Sequence, residues 1–436
     1  MKLRPFELAL VIIFLVLAIA SLVLLSNYKS KPTTKDGELQ AIGVVNIWGT
    51  LPPDGIRMLL SDLAEDNDAY RGVNYKYYHP DEFDSELLRA MADGLGPDLV
   101  LMSHEKLVDM RRRIEPISYE AYPRRDIQNA YIEGAQIFAL SDGMYGLPIA
   151  VDPMMMYWNR DIYATEGFLA PARTWESFVN SIFPKLIKRD FDRTIIRAAV
   201  AMGEYGNVRN SFGIVSTLLL QQGSQGVVET SDGTYLIKLQ QSFGGEGDPL
   251  RSAADFYTRF SQPGNNWYSW NRAFIEDRTE FLAEDLATYF GYASEGRVME
   301  KMNPNLNFDI AEVPQDANAT IRRTYGKFYT LAVMRSSNNK AGANAVMVNL
   351  GGAEIADQIA ERSNMVPVYG SSVSLGSNDI FGRAAFLSAP ITFGWLNPNM
   401  ESADGIFETM TEDINENRRD LGGAVGDVSG RLKNEY

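Results

Sequence analysis

The chain has 436 residues, of which 45% are hydrophobic and 22% charged, a balance typical of a globular protein with enough apolar material for two domains or lobes. Its 41 basic and 56 acidic residues give a net charge of −15, which disfavours nucleic-acid binding because an acidic surface repels phosphates. The absence of cysteine excludes disulfides, thiolate metal sites and a lipid-modified N-terminal cysteine, and two histidines are too few for a multi-histidine metal centre. We therefore expect neither a metal nor another cofactor.

An uncharged apolar run lies near the start of the chain. Residues 8–25 read LALVIIFLVLAIASLVLL, and a helix of this length, at about 1.5 Å per residue, nearly matches a hydrocarbon layer of about 30 Å. A cleaved signal peptide is the alternative, since Ala18-Ile19-Ala20 resembles a cleavage site, but the apolar run continues past it. We expect residues 1–40 to form an uncleaved transmembrane anchor followed by a polar linker. The flanking basic residues are nearly balanced and do not fix its orientation.

Short apolar runs then alternate with amphipathic stretches. The runs 42–48, 73–77 and 98–102 are typical of buried strands, and residues 56–63 and 83–91 place apolar side chains on one helical face. This β-α-β-α-β order predicts a parallel sheet, in which ligands bind beyond the carboxyl ends of the strands. The loops that follow the strands are therefore candidates for a site: Trp48-Gly49-Thr50, Tyr78-His79 and Ser103-His104-Glu105-Lys106.

The sequence carries no recognisable catalytic motif. It lacks a GxSxG nucleophile elbow, a GxxxxGK[ST] phosphate loop and an HExxH metal pair. The glycine clusters at 94–99 and 244–249 depart from the dinucleotide-binding pattern at its last glycine. A carboxylate pair for glycoside hydrolysis stays open, because 56 acidic residues offer many pairs whose separation the sequence does not give. We predict that the protein is not an enzyme.

Five segments, in their order and spacing, resemble extracellular solute-binding proteins of family 1, which serve carbohydrate ABC importers and include maltodextrin-binding members. The most specific segment is 142–178, which has a Tyr-Gly-Leu-Pro strand, a Tyr-x-Asn-x-Asp turn and a Thr-Trp helix start. The other four segments are 85–107, 281–294, 308–315 and 324–350. The resemblance covers nearly everything from about residue 42 to the end.

The resemblance implies an α/β periplasmic-binding-protein fold of two lobes, with the ligand in the cleft between them. The implied ranges are 41–150 with about 315–370 for lobe one, and 151–314 with about 371–436 for lobe two. Segments 148–154 and 309–315 would cross between the lobes as a hinge. It further implies an extracytoplasmic protein held at the cell membrane by its N-terminal helix. Its partners would be a small carbohydrate and ABC permease subunits.

The candidate ligand contacts are chosen by their position in the implied fold and by their side-chain chemistry. Carboxylates and amides bond to sugar hydroxyls, and aromatic rings cover sugar faces. Asp152 is the strongest candidate, since it lies four residues after Pro148 and sugar-binding members carry a carboxylate at the matching point. Its alternative role is to start the turn before Pro153. The other candidates are Trp48, His104, Glu105, Lys106, Glu204, Tyr205, Trp270, Asn271, Tyr292 and Tyr325. For several of them, core packing or a plain turn is the alternative.

Three further tryptophans are assigned to the core: Trp158 in a buried strand, Trp175 after a helix cap at Thr174, and Trp395 in a C-terminal helix. Where maltodextrin-binding members stack an aromatic ring on their ligand, this chain offers Phe386 alone, which argues against a long maltodextrin. Two other functions stay open, a membrane-anchored glycosidase and a surface sensor without a transporter. The same fold could also carry a peptide, a polyamine or another solute.

Overall fold

A computed structural model describes residues 42–244 and 247–436 of the chain. The expected transmembrane anchor and linker, residues 1–40, lie outside the described residues. Within the described ranges, no helix combines the length and the apolar character needed to cross a membrane.

The described residues alternate between strands and helices along most of their length. The strands are β1 Val45–Gly49, β2 Val73–Tyr77, β3 Leu99–Ser103, β4 Ala139–Leu140, β5 Gly143–Met144, β6 Leu147–Asn159, β7 Lys188–Arg189, β8 Ile195–Val200, β9 Val227–Glu229, β10 Tyr235–Ile237, β11 Leu286–Tyr292, β12 Phe308–Glu312, β13 Thr324–Val333, β14 Val366–Pro367 and β15 Thr392–Phe393. The helices are α1 Pro53–Asp66, α2 Pro80–Ala92, α3 Leu107–Met110, α4 Arg124–Ala130, α5 Arg160–Thr165, α6 Trp175–Ser177, α7 Phe183–Leu186, α8 Ser211–Gln221, α9 Pro249–Thr258, α10 Asp277–Leu282, α11 Glu295–Met302, α12 Lys340–Leu350, α13 Ala353–Arg362, α14 Gly370–Leu375, α15 Gly382–Ser388, α16 Met400–Asn415 and α17 Leu421–Lys433.

The first sheet begins with the predicted parallel unit. Strand β1 pairs in parallel with β2 on one side and with β3 on the other, and α1 and α2 connect them. The β-α-β-α-β prediction is therefore confirmed. Strand β13 then runs antiparallel to β3, and the first part of β6 runs antiparallel to β13. The carboxyl end of β3 consequently faces the start of β13.

Strand β6 joins this sheet to a second one. Its 13 residues are all buried, and it pairs with β13 as far as Pro153. From Met154 onwards it pairs instead with β11 and β12, and β11 continues the second sheet to β8 and β7. We call the part built on the first sheet lobe one and the part built on the second sheet lobe two. Asp152 thus lies where the chain passes from one lobe to the other. The exact lobe ranges stay predictions.

The three tryptophans assigned to the core are buried. Trp158 lies within β6, and the hydroxyl of Thr174 accepts a hydrogen bond from the Ser177 amide, so that Trp175 follows a capped helix start as predicted. Trp395 is 1% exposed, and its indole N–H donates to Ser216 Oγ at 3.2 Å. The prediction that Trp395 sits in a helix is wrong, because it follows β15 in the loop before α16.

Candidate functional site

Glu105 is a buried carboxylate at the carboxyl end of β3, close to the junction of the lobes. It accepts hydrogen bonds from the Tyr325 hydroxyl at 2.8 Å and the Ser103 hydroxyl at 3.2 Å, and Lys327 Nζ lies 3.5 Å from Oε2. Burial alone would raise the pKa of Glu105, but Lys327, His104 and the two hydroxyls outweigh it and hold the pKa below its usual value. Glu105 is therefore an ionised acceptor.

Lys327 connects Glu105 to lobe two. Its ammonium group lies 4.6 Å from the ring centroid of Tyr292, at the end of β11, and it stands opposite Asp152 in the register of β13 and β6. Its side chain is 29% exposed, more than those of Glu105, Tyr292 and Tyr325. We call Glu105, Asp152, Tyr292, Tyr325 and Lys327 the hinge cluster. Four of these five residues were predicted from the sequence, and Lys327 was missed.

A sequence signal for Lys327 was present in the segment TYGKFY. Side chains of a strand alternate between its two faces, so a strand that directs Tyr325 to the site also directs Lys327 to it. Lysine is exposed on most protein surfaces, so a lysine in the sequence does not by itself indicate a ligand site.

Asp152 is tied to lobe two by its own side chain. Its carboxylate accepts hydrogen bonds from the Ser294 amide at 2.9 Å and the Ser294 hydroxyl at 2.6 Å, and its exposed fraction is 3%. Burial raises the pKa of Asp152 to about 7, although both bonds from Ser294 act to lower it. Asp152 lies at the crossing between the lobes, where it was expected, and its side chain connects the crossing strand to the loop after β11. Its contact with a ligand stays a prediction.

His104 lies directly behind the hinge cluster and is fully buried. Its Nδ1 accepts a hydrogen bond from the Phe328 amide at 3.2 Å, while Nε2 has no partner among the described residues. Burial lowers the pKa of His104 to about 4, so the ring is neutral at physiological pH. Gly394 lies so close that a side chain there would meet Nε2 at 2.2 Å. The ring is thus enclosed by protein in this conformation.

Tyr205 and Glu204 follow β8 in lobe two. The Tyr205 hydroxyl donates to Asp404 Oδ1 at 2.7 Å, and Glu204 lies 3.7 Å from the guanidinium group of Arg272. Burial raises the pKa of Asp404, the Tyr205 bond opposes this, and the charges of Glu105 and Lys327 also act on it. Asp404 therefore lies near the hinge cluster. The helical pattern of α16 gave no signal for it.

Two predicted contacts on lobe one are engaged with their own neighbours. The ring of Trp48 packs against that of Tyr78 at 4.7 Å between centroids, and Lys76 Nζ lies 4.8 Å from the Trp48 ring. Lys106 forms an ion pair with Asp84 at 2.5 Å, on the side of α2. Neither residue belongs to the hinge cluster.

The side chains of Trp270 and Asn271, in the aromatic loop 267–271, contact neighbouring residues of lobe two. Trp270 is 0% exposed, stacks on Phe274 at 4.5 Å between centroids, and donates its indole N–H to Asn207 Oδ1 at 3.0 Å. Asn271 closes a turn by accepting the Ala273 amide at 2.9 Å. The structure does not bring Trp270 to a surface that a ligand could reach, because lobe two covers its ring.

The cluster does not have the composition of a metal site. Within residues 42–244 and 247–436, no group of three or more histidine, aspartate or glutamate side chains is arranged to hold a metal ion. What the cluster does offer is an ionised acceptor, a partly exposed ammonium donor and two tyrosines at the meeting point of two lobes.

Solved structures with the same architecture are numerous. A cyclo/maltodextrin-binding protein complexed with maltotetraose superposes with a TM-score of 0.70 at 13% identity, over 90% of this chain and 96% of its own. The sugar-binding protein of Xanthomonas citri gives 0.70 at 17% identity, over 90% and 97%. A solute-binding protein of Thermotoga lettingae bound to α-D-tagatose gives 0.67 at 16% identity, over 90% and 99%. The chain has the two-lobe fold of the periplasmic solute-binding proteins.

This solute-binding fold is accompanied by a distant likeness in sequence. No family model matches the chain. Provisionally named binding proteins of Brucella abortus and Brucella suis are 21% identical over 348 residues, which is 74% of this chain and 77% of theirs. The resemblance stated from the sequence is confirmed at the level of the fold.

Proposed function

We propose that this protein captures a small carbohydrate, a mono- or oligosaccharide, between its two lobes and delivers it to an ABC import system. The observation that carries the proposal is the hinge cluster. Its ionised Glu105 accepts hydrogen bonds and Lys327 donates them, which suits ligands with neighbouring hydroxyls. The ring of Tyr292 stands beside them to cover an apolar sugar face. The sugars bound by structures of the same fold support this ligand class.

The proposed ligand contacts combine the hinge cluster with groups around it. Glu204, Tyr205 and Asp404 would contribute from lobe two. We leave Trp48, Lys106, Trp270 and Asn271 outside the proposed set, because the groups that they contact lie outside the hinge cluster. Tyr205 differs from them, since the charges of Glu105 and Lys327 act on its partner Asp404.

A thermal-shift panel tests the ligand class. The full chain is heated with mono- and oligosaccharides, amino acids, short peptides and polyamines in turn. A ligand at about 100 times its dissociation constant adds roughly 2.7 kcal/mol to stability, which raises the melting temperature measurably. A response to polyamines or peptides alone would contradict the carbohydrate class while leaving a binding role. Turnover of a chromogenic glycoside would favour the glycosidase alternative.

We further propose that residues 1–40 anchor the protein to the membrane with both lobes on the extracytoplasmic side. The apolar run 8–25 and the missing lipid-attachment cysteine support this arrangement. Intact-mass measurement on protein extracted from membranes should give the uncleaved chain, and a product that starts near Ser21 would contradict it. Two permease genes beside its own would support import, and their absence would favour the sensor alternative.

A further inference from the structure

A second set of buried charges joins the two lobes away from the hinge cluster. Arg111 follows α3 in lobe one, and Glu229 ends β9, which forms a hairpin with β10. Arg111 Nη1 lies 2.6 Å from Glu229 Oε1, and their side chains are only 17% and 6% exposed. An ion pair this protected from water is a much stronger constraint than a surface pair.

Both partners of the pair hold further bonds across the same boundary. Glu229 accepts from the Ser141 amide at 2.5 Å and from the Ser141 hydroxyl at 3.0 Å. Arg111 donates across it to the Tyr235 hydroxyl at 3.0 Å, and within lobe one to Asp142 Oδ1 at 2.9 Å. Lobe one thus supplies the arginine and the turn at 141–142, and the hairpin supplies the glutamate and the tyrosine. We call these five residues the interlobe lock.

Each half of the lock is attached to the body of its own lobe. On the hairpin, the Tyr235 ring lies 4.8 Å from that of Tyr436, and Gln240 beyond the hairpin accepts from Ser429 on α17. On lobe one, Asp142 accepts the Tyr145 hydroxyl at 2.9 Å. A change in lobe orientation must therefore stretch or break the bonds of the lock.

Aromatic rings flank the arginine of the lock. Its guanidinium carbon lies 5.7 Å from the ring centroid of Tyr145 and 5.9 Å from that of Tyr235. A groove open to solvent lies beside the pair and is lined from both lobes, by Ser141 and Glu229 among others.

We propose that the Arg111–Glu229 pair locks the two lobes in the orientation of this structure and sets how readily they move. The inference concerns the unliganded protein, so it does not depend on what the cleft binds. In proteins with this fold the lobes move about their connecting strands, and a bistable contact between them shifts that equilibrium.

Distance measurement between spin labels tests the proposal on the full chain. Because the chain has no cysteine, Leu88→Cys on α2 of lobe one and Met302→Cys on α11 of lobe two give one label on each lobe. These positions are 49% and 56% exposed. In this background Glu229→Gln keeps the shape of the side chain and removes its charge. We expect the ratio of the parent distance to other distances to fall about fivefold or more, the range in which coupling between sites usually lies.

A matched variant distinguishes the effect of breaking the Arg111–Glu229 pair from the effect of removing any one negative charge. Glu115→Gln removes the acid of an exposed pair with Lys340, 2.9 Å long and contained in lobe one, and it should leave the distances unchanged. Tyr235→Phe removes one bond to Arg111 and should shift the distances in the same direction as Glu229→Gln, by less. It also keeps the test decisive if Glu229→Gln does not fold. A parent-like distribution in a folded Glu229→Gln protein, or an equal shift in Glu115→Gln, would overturn the proposal.

Discussion

The ammonium group of Lys327 lies 3.5 Å from the Glu105 carboxylate, and Lys327 stands opposite Asp152 at the lobe junction. It is also the most exposed member of the hinge cluster, so a ligand can reach it without displacing core side chains. A charge-assisted hydrogen bond to a ligand hydroxyl is worth about 1.5–3 kcal/mol. Ligand affinity is therefore expected to depend on this one side chain.

Lys327→Gln should lower the affinity for the sugar identified in the thermal-shift panel at least tenfold, about 1.4 kcal/mol. Titration calorimetry measures the effect. Lys340→Gln, at an exposed ion pair in lobe one, is the matched control and should bind as the parent does. Equal affinity for parent and Lys327→Gln would remove Lys327 from the site.

Asp152→Asn gives a second test at the residue scale, with a pH dependence. Because burial raises the pKa of Asp152 to about 7, the carboxylate gains its charge as the pH rises through 7, and the charged form is the stronger acceptor. Sugar affinity of the parent should thus increase between pH 6 and pH 8. In Asp152→Asn it should be lower at pH 8, by at least tenfold, and nearly independent of pH.

Ser294→Ala separates the two roles of Asp152. It removes the 2.6 Å bond from the Ser294 hydroxyl and leaves the carboxylate in place. We expect it to lower the melting temperature more than the affinity. If Asp152→Asn also melts earlier and binds as before, Asp152 acts only in holding the hinge.

At the scale of the elements, the strands and helices set by local sequence patterns could be predicted, whereas features that depend on pairing between distant segments could not be predicted from those patterns. Strands β1 to β3 follow from apolar runs separated by helical periodicity, and the structure confirms them. The change of partner within β6 leaves no trace in the hydropathy pattern, because every residue of this strand is buried on either side of Pro153, and only the family resemblance placed a crossing at 148–154. Trp395 could be assigned to the core from its size and apolar surface, but the loop that carries it follows a short pairing of β15 with β13.

The same limit applies to the site. Glu105, Tyr292 and Tyr325 end or begin strands, where the topology of open sheets places ligands, so their positions could be predicted. Trp270 was proposed as a ligand contact from its place in an aromatic loop of the implied fold, with packing as the alternative, and in this structure it is buried in lobe two. Arg111 and Glu229 lie in unrelated segments, and a single sequence gives no sign that they meet.

The start of helix α10 offers a prediction about stability. Asp277, its first residue, is fully buried, and Oδ1 accepts the amides of Arg209 and Arg278 at 3.1 and 2.9 Å. Its Oδ2 has no partner among the described residues, and burial raises the pKa of Asp277 to about 8. A folded-state pKa above the unfolded value means that this stabilisation is complete below the unfolded pKa of about 4 and is lost progressively until the pH has risen through the folded pKa of about 8.

Asp277→Asn keeps an acceptor oxygen and cannot ionise, so this side chain should no longer lower the stability of the fold as the pH rises. We expect its melting temperature to exceed that of the parent by a few degrees, about 2–4 °C, at pH 9, and the difference to shrink as the pH falls towards 4. Asp54→Asn, at an exposed acid in the first turn of α1, serves as the control and should show no gain at pH 9. A lower melting temperature for Asp277→Asn at pH 9 would contradict the assigned protonation.

At the scale of the whole molecule, the two lobes meet at two kinds of contact. The hinge cluster and the Asp152–Ser294 bonds lie where β6 passes between the sheets, and the interlobe lock lies where the hairpin meets the turn at 141–142. A ligand that bonds to Glu105 on lobe one and covers Tyr292 on lobe two gains its full binding energy only when both lobes close on it. Binding is therefore expected to change the orientation of the lobes.

Closure on binding is measurable by small-angle scattering on residues 42–436, which form one compact unit. A ligand shifts the equilibrium between open and closed forms by its preference for the closed one. Saturation with the sugar found in the panel should therefore give a smaller radius of gyration, and a sugar without effect on the melting temperature should leave it unchanged. At a sugar concentration near the parent's dissociation constant, Lys327→Gln should show a much smaller decrease in radius than the parent, because binding that is at least tenfold weaker leaves it mostly unliganded. An unchanged radius for the saturated parent would mean that the lobes are rigid, or already closed before the ligand binds.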